Sequence, residues 1–483
     1  MSNHRGKRDT GNVSSMMIPV FLCVFCASVV PSIFASEPAP LLAGFGEADI
    51  TPRIEGKPVY LAGFGANRKA TAVLDPLAVR AIVLRHSGKT VAIACADAVG
   101  LFLPSVEHVR KELPGFDYVL VSSTHNHHGP DTMGLWGPNP FTSGIDPDYL
   151  RRVEVAIITA IREAEKSLRP TTANIGSIAI PEMLHDSRPP IVKHDELIAI
   201  QFREVAGNRP TGIVVQWNCH PETLDSKNTR ISADFVGVTV KELKAKYGCP
   251  VVYLTGTVGG LMTSMHVDVR DALGQRLPEG SVEKMHRYGQ LLAGKATEAL
   301  KTSKPIRLTP LAARSRSLAL PVDNHRFILG KQLGILDRPM ERWIGHWAQS
   351  TAPVADLGKD RPAIRSEIAW LRFGELDVAV IPGEIYPELM LGKVQDPPDP
   401  AADFPDAPIE PSIYGQLAGP YRMIVGLGND ELGYILPKRQ WDEKPPFTYG
   451  QKKAPYGEVN SLGPDTGPLI CAAFRDLVKG KTE

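Results

Sequence analysis

The sequence predicts an α/β fold built on a mixed sheet, and three observations predict it. Through the first half of the chain, short apolar runs alternate with stretches of helical periodicity, the pattern of strands joined by helices. Two pairs of runs are joined instead by tight glycine-bearing turns, Ser87-Gly88-Lys89 and Gly374-Glu375, which makes those pairs hairpins. Several runs end in residues suited to chemistry, as expected where an α/β site forms outside strand termini.

In chain order, Ala43–Pro52 reads as a first strand stopped by proline. Leu77–Leu84 and Val91–Ala96 form the first hairpin, and the second of these strands runs into Asp97. Val106–Leu113 is predicted helical and Tyr118–Ser123 a buried strand. Pro147–Leu168 places apolar Leu150, Val153, Ala156, Ile157 and Ala160 at helical spacing. Ile213–Cys219 is a strand ending at His220, Phe235–Lys246 a helix, Val251–Leu254 a strand and Ser281–Leu300 a helix. Gly256–Gly260 is a glycine-bearing turn. Ala369–Phe373 and Leu376–Ile381 make the second hairpin, ending in Pro382-Gly383-Glu384. Met423–Leu427 is a strand that ends at Gly428-Asn429. Residues 323–362, irregular and carrying Trp343 and Trp347, read as an insertion or lid. Pro397–Pro411 reads as an exposed loop.

The chain has 483 residues, 43% hydrophobic and 22% charged, ample for a large core. The formal net charge is +1, of which residues 1–36 carry +2, so the remainder is near −1. Nothing in that balance favours nucleic acid or an anionic membrane as partner. Arg5, Lys7 and Arg8 precede an apolar run from Met16 to Phe34, with small residues at Ala35 and Ser36. This is the pattern of a secretory leader cleaved near Ala35 or Ser36, which predicts a secreted or periplasmic protein with no membrane span in the mature chain. Cys95, Cys219, Cys249 and Cys471 are too scattered for a disulfide scaffold and read as buried small hydrophobes, with one disulfide left open.

The chemistry centres on Thr124-His125-Asn126-His127-His128-Gly129-Pro130. If the chain stays extended past Ser123, His125 and His127 leave one face together. They are then half of a metal site, or one ligand and one acid/base group. His220, Glu384 and the Asn429…Tyr434 loop are further strand-end candidates. Two histidines and a carboxylate form a standard hydrolytic zinc set, with one position open for water.

These segments resemble the neutral/alkaline (non-lysosomal) ceramidase family. THNHHGP is similar to its Thr-His-x-His-Ser-Gly-Pro signature. AGFGEADITP, VQWNCHPETL followed by ISADFVG, VAVIPGE, GLGNDELGY and YGEVNSLGP resemble its other motifs, in the same order, from about residue 43 to 465. The resemblance implies a zinc-hydrolase-like catalytic domain over residues 37–483. It implies one zinc per chain, held by His125, His220, Glu384 and Tyr434. It makes His127 the group that moves the proton, Tyr456 the hydrogen-bond donor to the oxyanion, and Arg188, in His-Asp-Ser-Arg-Pro, a substrate contact. Asp97 and Asp131 are candidates to orient the histidines, or ordinary loop acids.

The sequence also departs from the family. Its active-site serine falls on Met262, within Gly256–Ser264, and its asparagine and aspartate there become Thr257 and Gly260; Thr263 or Ser264 would replace the serine only if the loop shifted. His128 replaces a serine. The family's C-terminal β-sandwich domain has no counterpart before Glu483. The expectation is therefore an exported zinc amidohydrolase acting on a small-molecule or lipid-like linear amide other than classical ceramide. The alternatives are a zinc esterase or deacetylase on a lipid or carbohydrate, and a non-catalytic secreted binding protein on the same scaffold.

Overall fold

The computed structural model describes Gly11, residues 39–348 and residues 359–480. The expected leader and its cleavage site lie outside the described residues.

Two sheets pack face to face. The first is nine-stranded: β1 (Leu42–Asp49), β2 (Ala78–His86), β3 (Lys89–Ala96), β4 (Tyr118–Ser123), β5 (Arg169–Ala179), β6 (Glu196–Glu204), β7 (Pro210–Trp217), β8 (Val251–Thr255) and β9 (Lys304–Ile306). Its order is β8-β7-β6-β5-β1-β2-β3-β4, with β9 also paired to β5. The second sheet runs β10 (Leu311–Pro321), β11 (Pro362–Phe373), β12 (Leu376–Val380) and β14 (Tyr421–Val425), with Glu341–Arg342 added on β11. Two short strands, β13 (Glu384–Ile385) and β15 (Tyr434–Ile435), pair with each other in parallel.

The period of two along the strands builds the layers. In β3, Val91, Ile93 and Cys95 face the second sheet, where they meet Leu371, Val378 and Val425. Ala92, Ala94 and Ala96 face the other way, onto α2 (Pro147–Lys166) and α1 (Leu103–Lys111). The helices α3 (Asp234–Tyr247) and α4 (Val282–Lys301) cover the same outer face over β6, β7 and β8. The outer face of the second sheet is covered by α6 (Thr466–Val478), through Ile470, Phe474 and Leu477. The layers are helix, sheet, sheet, helix. Gly44 and Gly46 are required in β1, because a Cβ at either would collide with carbonyl oxygens of α2, Ala164 and Ala160.

The expected hairpins are present. Ser87 and Gly88 form the two-residue turn between β2 and β3, both at positive φ (47° and 80°) as a type I′ turn requires. β5, β6 and β10 were not anticipated. The four cysteines are buried and free, as the small-hydrophobe reading expected. Residues 323–348 are not wholly irregular: Asn324 caps α5 (His325–Gln332) by accepting from the Arg326 N–H at 2.9 Å.

The mixed connectivity positions the site. Within the two large sheets, three neighbouring pairs are parallel: β3 with β4, β7 with β8, and β12 with β14. The strand order separates β4 from β8, yet the first sheet curls until their carboxyl ends meet, and the Thr255 hydroxyl donates to the Thr124 carbonyl at 2.9 Å. The second sheet joins the same place: Asn429 N donates to Val121 O at 2.7 Å, and the Asn429 side-chain oxygen accepts from Val121 N at 3.2 Å. The carboxyl ends of all three parallel pairs therefore open onto one region.

Candidate metal centre

Past β4 the chain is not extended. His125 has φ of +66°, a left-handed conformation that costs a non-glycine residue energy and persists only where surroundings enforce it. Here Thr124 N donates to Ala96 O at 2.8 Å, Asn126 N to Ala98 O at 3.0 Å, and the Asn126 amide to Ser232 O at 2.8 Å. This turn, rather than strand alternation, brings the His125 and His127 rings to 4.9 Å. His128 faces away, fully buried against Asn228 and Asp234.

His220 arrives from the end of β7. Its backbone N–H donates to Met262 O at 3.0 Å, and its ring Nδ1 pairs with that carbonyl at 2.7 Å. His125 Nδ1 pairs likewise with Val99 O at 2.7 Å. With both Nδ1 atoms engaged by carbonyls, both Nε2 atoms are left as the lone-pair side, the usual way a ligating imidazole is oriented. Glu384 lies between them, its Oε2 at 2.9 Å from His220 Nε2 and 3.4 Å from His125 Nε2. Gly383, at φ +150°, permits this: a Cβ there would sit 2.7 Å from the O of Gly433, the residue before the strand that pairs with Glu384. Tyr434, directly across that pairing, puts its hydroxyl 3.5 Å from His220 Nε2. The histidines 125, 127 and 220 each place a ring nitrogen within 4.8 Å of the others.

The electrostatics suit a cation. Burial pulls the His220 imidazole down, but the Glu384 hydrogen bond and the charges of Glu222 and Glu384 outweigh it and raise it to about 9. Burial would raise the Glu384 carboxyl, and His125 and His220 instead hold it well below the usual range. The carboxylates that keep a proton on His220 equally attract a metal ion in its place. Imidazole and carboxylate donors, oriented by backbone and buried, fit zinc.

Glu222 is the residue the sequence reading missed. It is buried, and its Oε2 lies 3.2 Å from His127 Nδ1. Burial pushes the Glu222 carboxyl up, but the contact with His127 dominates and lowers it to about 2. His127 itself is lowered to about 4 by burial, against the pull of Glu222. The available signal was position: Glu222 stands two residues after His220, in His-Pro-Glu.

Two candidate orienting acids serve elsewhere. Asp97 is fully buried on Arg80 (2.9 Å) and the Ala78 N–H, touching no histidine. Asp131 accepts from the backbone N–H groups of Met133, Gly134 and Trp136 and so shapes the following loop. The Met262 side chain lies in the core under α3 and α4, and its contribution to the centre is the carbonyl that holds His220. Thr263 and Ser264 are buried, with Ser264 paired to Thr223 at 2.8 Å. Arg188 is buried in an ion pair with Glu458, donates to Gln440 O at 2.9 Å, and borders a smaller recess beside Tyr456.

The metal-competent cluster borders a cavity of about 550 Å³. His125, His127, Glu384, Tyr434 and Tyr456 line it, the rings of Tyr434 and Tyr456 5.8 Å apart. The facing wall is largely apolar: Met133, Leu135 and Phe141 from the loop that Asp131 shapes, and Phe327, Leu329, Leu333 and Leu336 from α5 and its continuation, with Arg326 of α5 among them. Residues 324–336 of the expected insertion thus form a wall of the site.

No family model matches the sequence, and no curated protein matches it. Solved structures do match. A ceramidase solved in complex with C2 superposes with a TM-score of 0.65 at 15% identity, over 91% of this chain and 75% of that one. The neutral ceramidase from Pseudomonas aeruginosa gives 0.66 at 16% identity, over 91% and 74%. The chain has the fold of the neutral ceramidases. The ceramidase resemblance carried by its short motifs is thus met at the level of the whole fold. Among the described residues, no helix is long and apolar enough to cross a membrane.

Proposed function

We propose that the protein is an exported zinc-dependent hydrolase that cleaves the amide bond of a small, lipid-like N-acyl compound. The observation that carries this is the convergence of His125, His220, Glu384 and Tyr434, from the ends of three parallel strand pairs, beside a largely apolar cavity that His125, Glu384 and Tyr434 line. These residues would hold one zinc. When bound there, zinc lowers the pKa of the attacking water and polarises the substrate carbonyl.

His127 supplies the proton traffic. Burial keeps its imidazole neutral near pH 7, so it is free to accept a proton from the attacking water. Glu222, its carboxylate 3.2 Å from Nδ1, stabilises the imidazolium that forms. The same imidazolium then protonates the departing nitrogen, so the amine leaves neutral. Tyr456 borders the cavity, 55% exposed, and partial desolvation with the charges of Glu384 and Glu222 raises its phenol above the ordinary value. It stays protonated and donates a hydrogen bond to the oxyanion that develops on the carbonyl. Arg188 anchors the Glu458 segment that carries Tyr456, and its effect on substrate passes through that anchor.

Elemental analysis of the purified protein and of His220→Ala tests the proposal. About one zinc per chain is expected in the wild type, with metal and amidase activity lost together in the variant. Full activity without bound zinc would sink the mechanism. A matched pair of amide and ester substrates with the same acyl chain decides between an amidase and an esterase.

A further inference from the structure

We infer that Glu431 reads the polar end of the substrate, and that it recognises an amino group carried beside the scissile bond. The inference rests on the cavity being the substrate site of the proposed hydrolase.

Two acidic neighbours in the sequence are treated differently by the fold. Asp430 is fully used: its carboxylate accepts from Arg338 at 2.6 Å, the Ser366 hydroxyl at 2.7 Å and the Leu103 N–H at 3.0 Å. Glu431 is not. It is 2% exposed, and its Oε1 accepts from Gly433 N at 2.7 Å, but its Oε2 has no partner. It lines the cavity, and among the described lining residues the acids are Glu384 and Glu431. Glu384 faces the histidines, which leaves Glu431 as the acid whose free oxygen no residue of the fold claims.

Its geometry is set in advance. The Glu431 carbonyl accepts from Arg338 Nη1 at 3.0 Å, and its N–H donates to Asp430 Oδ1 at 2.9 Å. Its side chain passes over Gly100, where any Cβ would stand 2.8 Å from Glu431 Cγ. A buried carboxyl with an unfilled oxygen destabilises the fold, and a leucine would suit the surrounding wall better. Of the nearby cations, Arg338 is engaged by Asp430, and Arg326 stands elsewhere in the cavity lining. Burial pushes the Glu431 carboxyl well above its usual range, so a ligand that brings its own positive charge stabilises the ionised form, and the rigidly held acceptor oxygen is complementary to a group that donates hydrogen bonds and carries that charge. An ammonium satisfies both requirements, a hydroxyl one of them, and a methyl neither. The rest of the wall, Phe327, Leu333 and Leu336 included, suits the acyl chain.

The test compares three substrates with one acyl chain and three amine halves: N-acyl ethylenediamine, N-acyl ethanolamine and N-acyl propylamine. The zinc-loaded wild type is expected to rank them in that order by kcat/KM, with at least about tenfold between the first and last. Glu431→Leu should collapse the ranking, mainly through KM, with zinc content maintained. Glu431→Gln, which keeps hydrogen bonding but loses charge, should erase the preference for amine over hydroxyl and keep that for hydroxyl over methyl. An unchanged ranking in Glu431→Leu, or a wild type that favours the propylamide, would overturn the assignment. If no amide is cleaved although zinc is bound, the amidase reading fails. Calorimetric binding of the same three compounds then decides the role of Glu431 separately, by the same ranking and the same two variants.

Discussion

The two walls of the cavity are built on opposite principles. On the metal side, every group is tied to backbone: His125 through Val99, His220 through Met262, Glu384 through its N–H to Gly433, and Tyr434 through its N–H to Asn460. All four are buried at the ends of parallel strands. On the facing side, Phe141 is 67% exposed, Leu329 49% and Leu333 45%, on a loop and a two-turn helix. The difference separates chemistry from selectivity. Groups that must meet within tenths of an ångström sit on strand ends locked by two sheets, while the surface that chooses a substrate sits on segments that can change without disturbing them.

The largest effect expected of a change beside the metal ligands comes from the contact that carries no metal. Glu222→Gln keeps the shape of His127's partner but removes its charge. It should lower kcat by about 10–100-fold while zinc content is unchanged. If zinc is lost together with activity, Glu222 belongs to the metal's own support and the division of labour between His127 and the ligands fails.

The facing wall should behave in the opposite way. Leu329→Ser combined with Leu333→Ser removes half-exposed apolar surface, so the thermal midpoint should hardly move. KM for a long acyl chain should rise by about 5–10-fold with kcat little changed, since each leucine contributes about 1 kcal/mol of apolar contact. Measuring KM against acyl-chain length sharpens the comparison, because short chains should show no penalty. A large loss of kcat would mean that this wall also positions the reacting bond.

The same contrast governs what could be read from the sequence. Strand ends announce themselves, since an apolar run that stops at His-x-His or at Pro-Gly-Glu is a local signal. The strand Tyr118–Ser123 was accordingly legible, and His125, His220 and Glu384 stood out as strand-end candidates, whereas Tyr434 as a ligand came only from the ceramidase resemblance. The turn at His125 was not, because its positive φ is imposed by Asn126 gripping Ser232, a contact across 106 residues. Glu222 was hidden for the same kind of reason: its partner is remote in sequence, and a glutamate after His-Pro has no periodicity to betray it. Asp97 misled in reverse, as its arginine partner lies on the neighbouring strand. β5 and β10 escaped because Arg169–Ala179 and Leu311–Pro321 mix small and polar residues with few large apolar ones. β6 carried a plain apolar run, Leu197–Phe202, and was simply passed over. The residues lining the facing wall come from a segment with no regular pattern, and nothing local marks Leu329 or Leu333 as part of a site.

A smaller effect, on stability, sharpens the contrast within the metal side itself. Glu384, on β13, and Glu388, four residues on in the short helix that follows, are both buried, yet they shift in opposite directions. The histidines hold Glu384 charged. Glu388 has the Gln440 amide at 3.1 Å on one oxygen and no partner on the other, and burial pushes it up to about 7. A carboxyl that binds its proton more tightly when folded than when unfolded stabilises the fold below the unfolded value near 4.5. That contribution is lost as pH rises through the folded value near 7. Glu388→Gln mimics the protonated form at every pH. The variant and the wild type should therefore unfold at similar temperatures at pH 4, and the variant should be more stable at pH 8 by about 1–3 kcal/mol. Equal separation of the two unfolding curves at both pH values would show that Glu388 is ionised throughout and that the supporting layer behind Glu384 is better solvated than its burial implies.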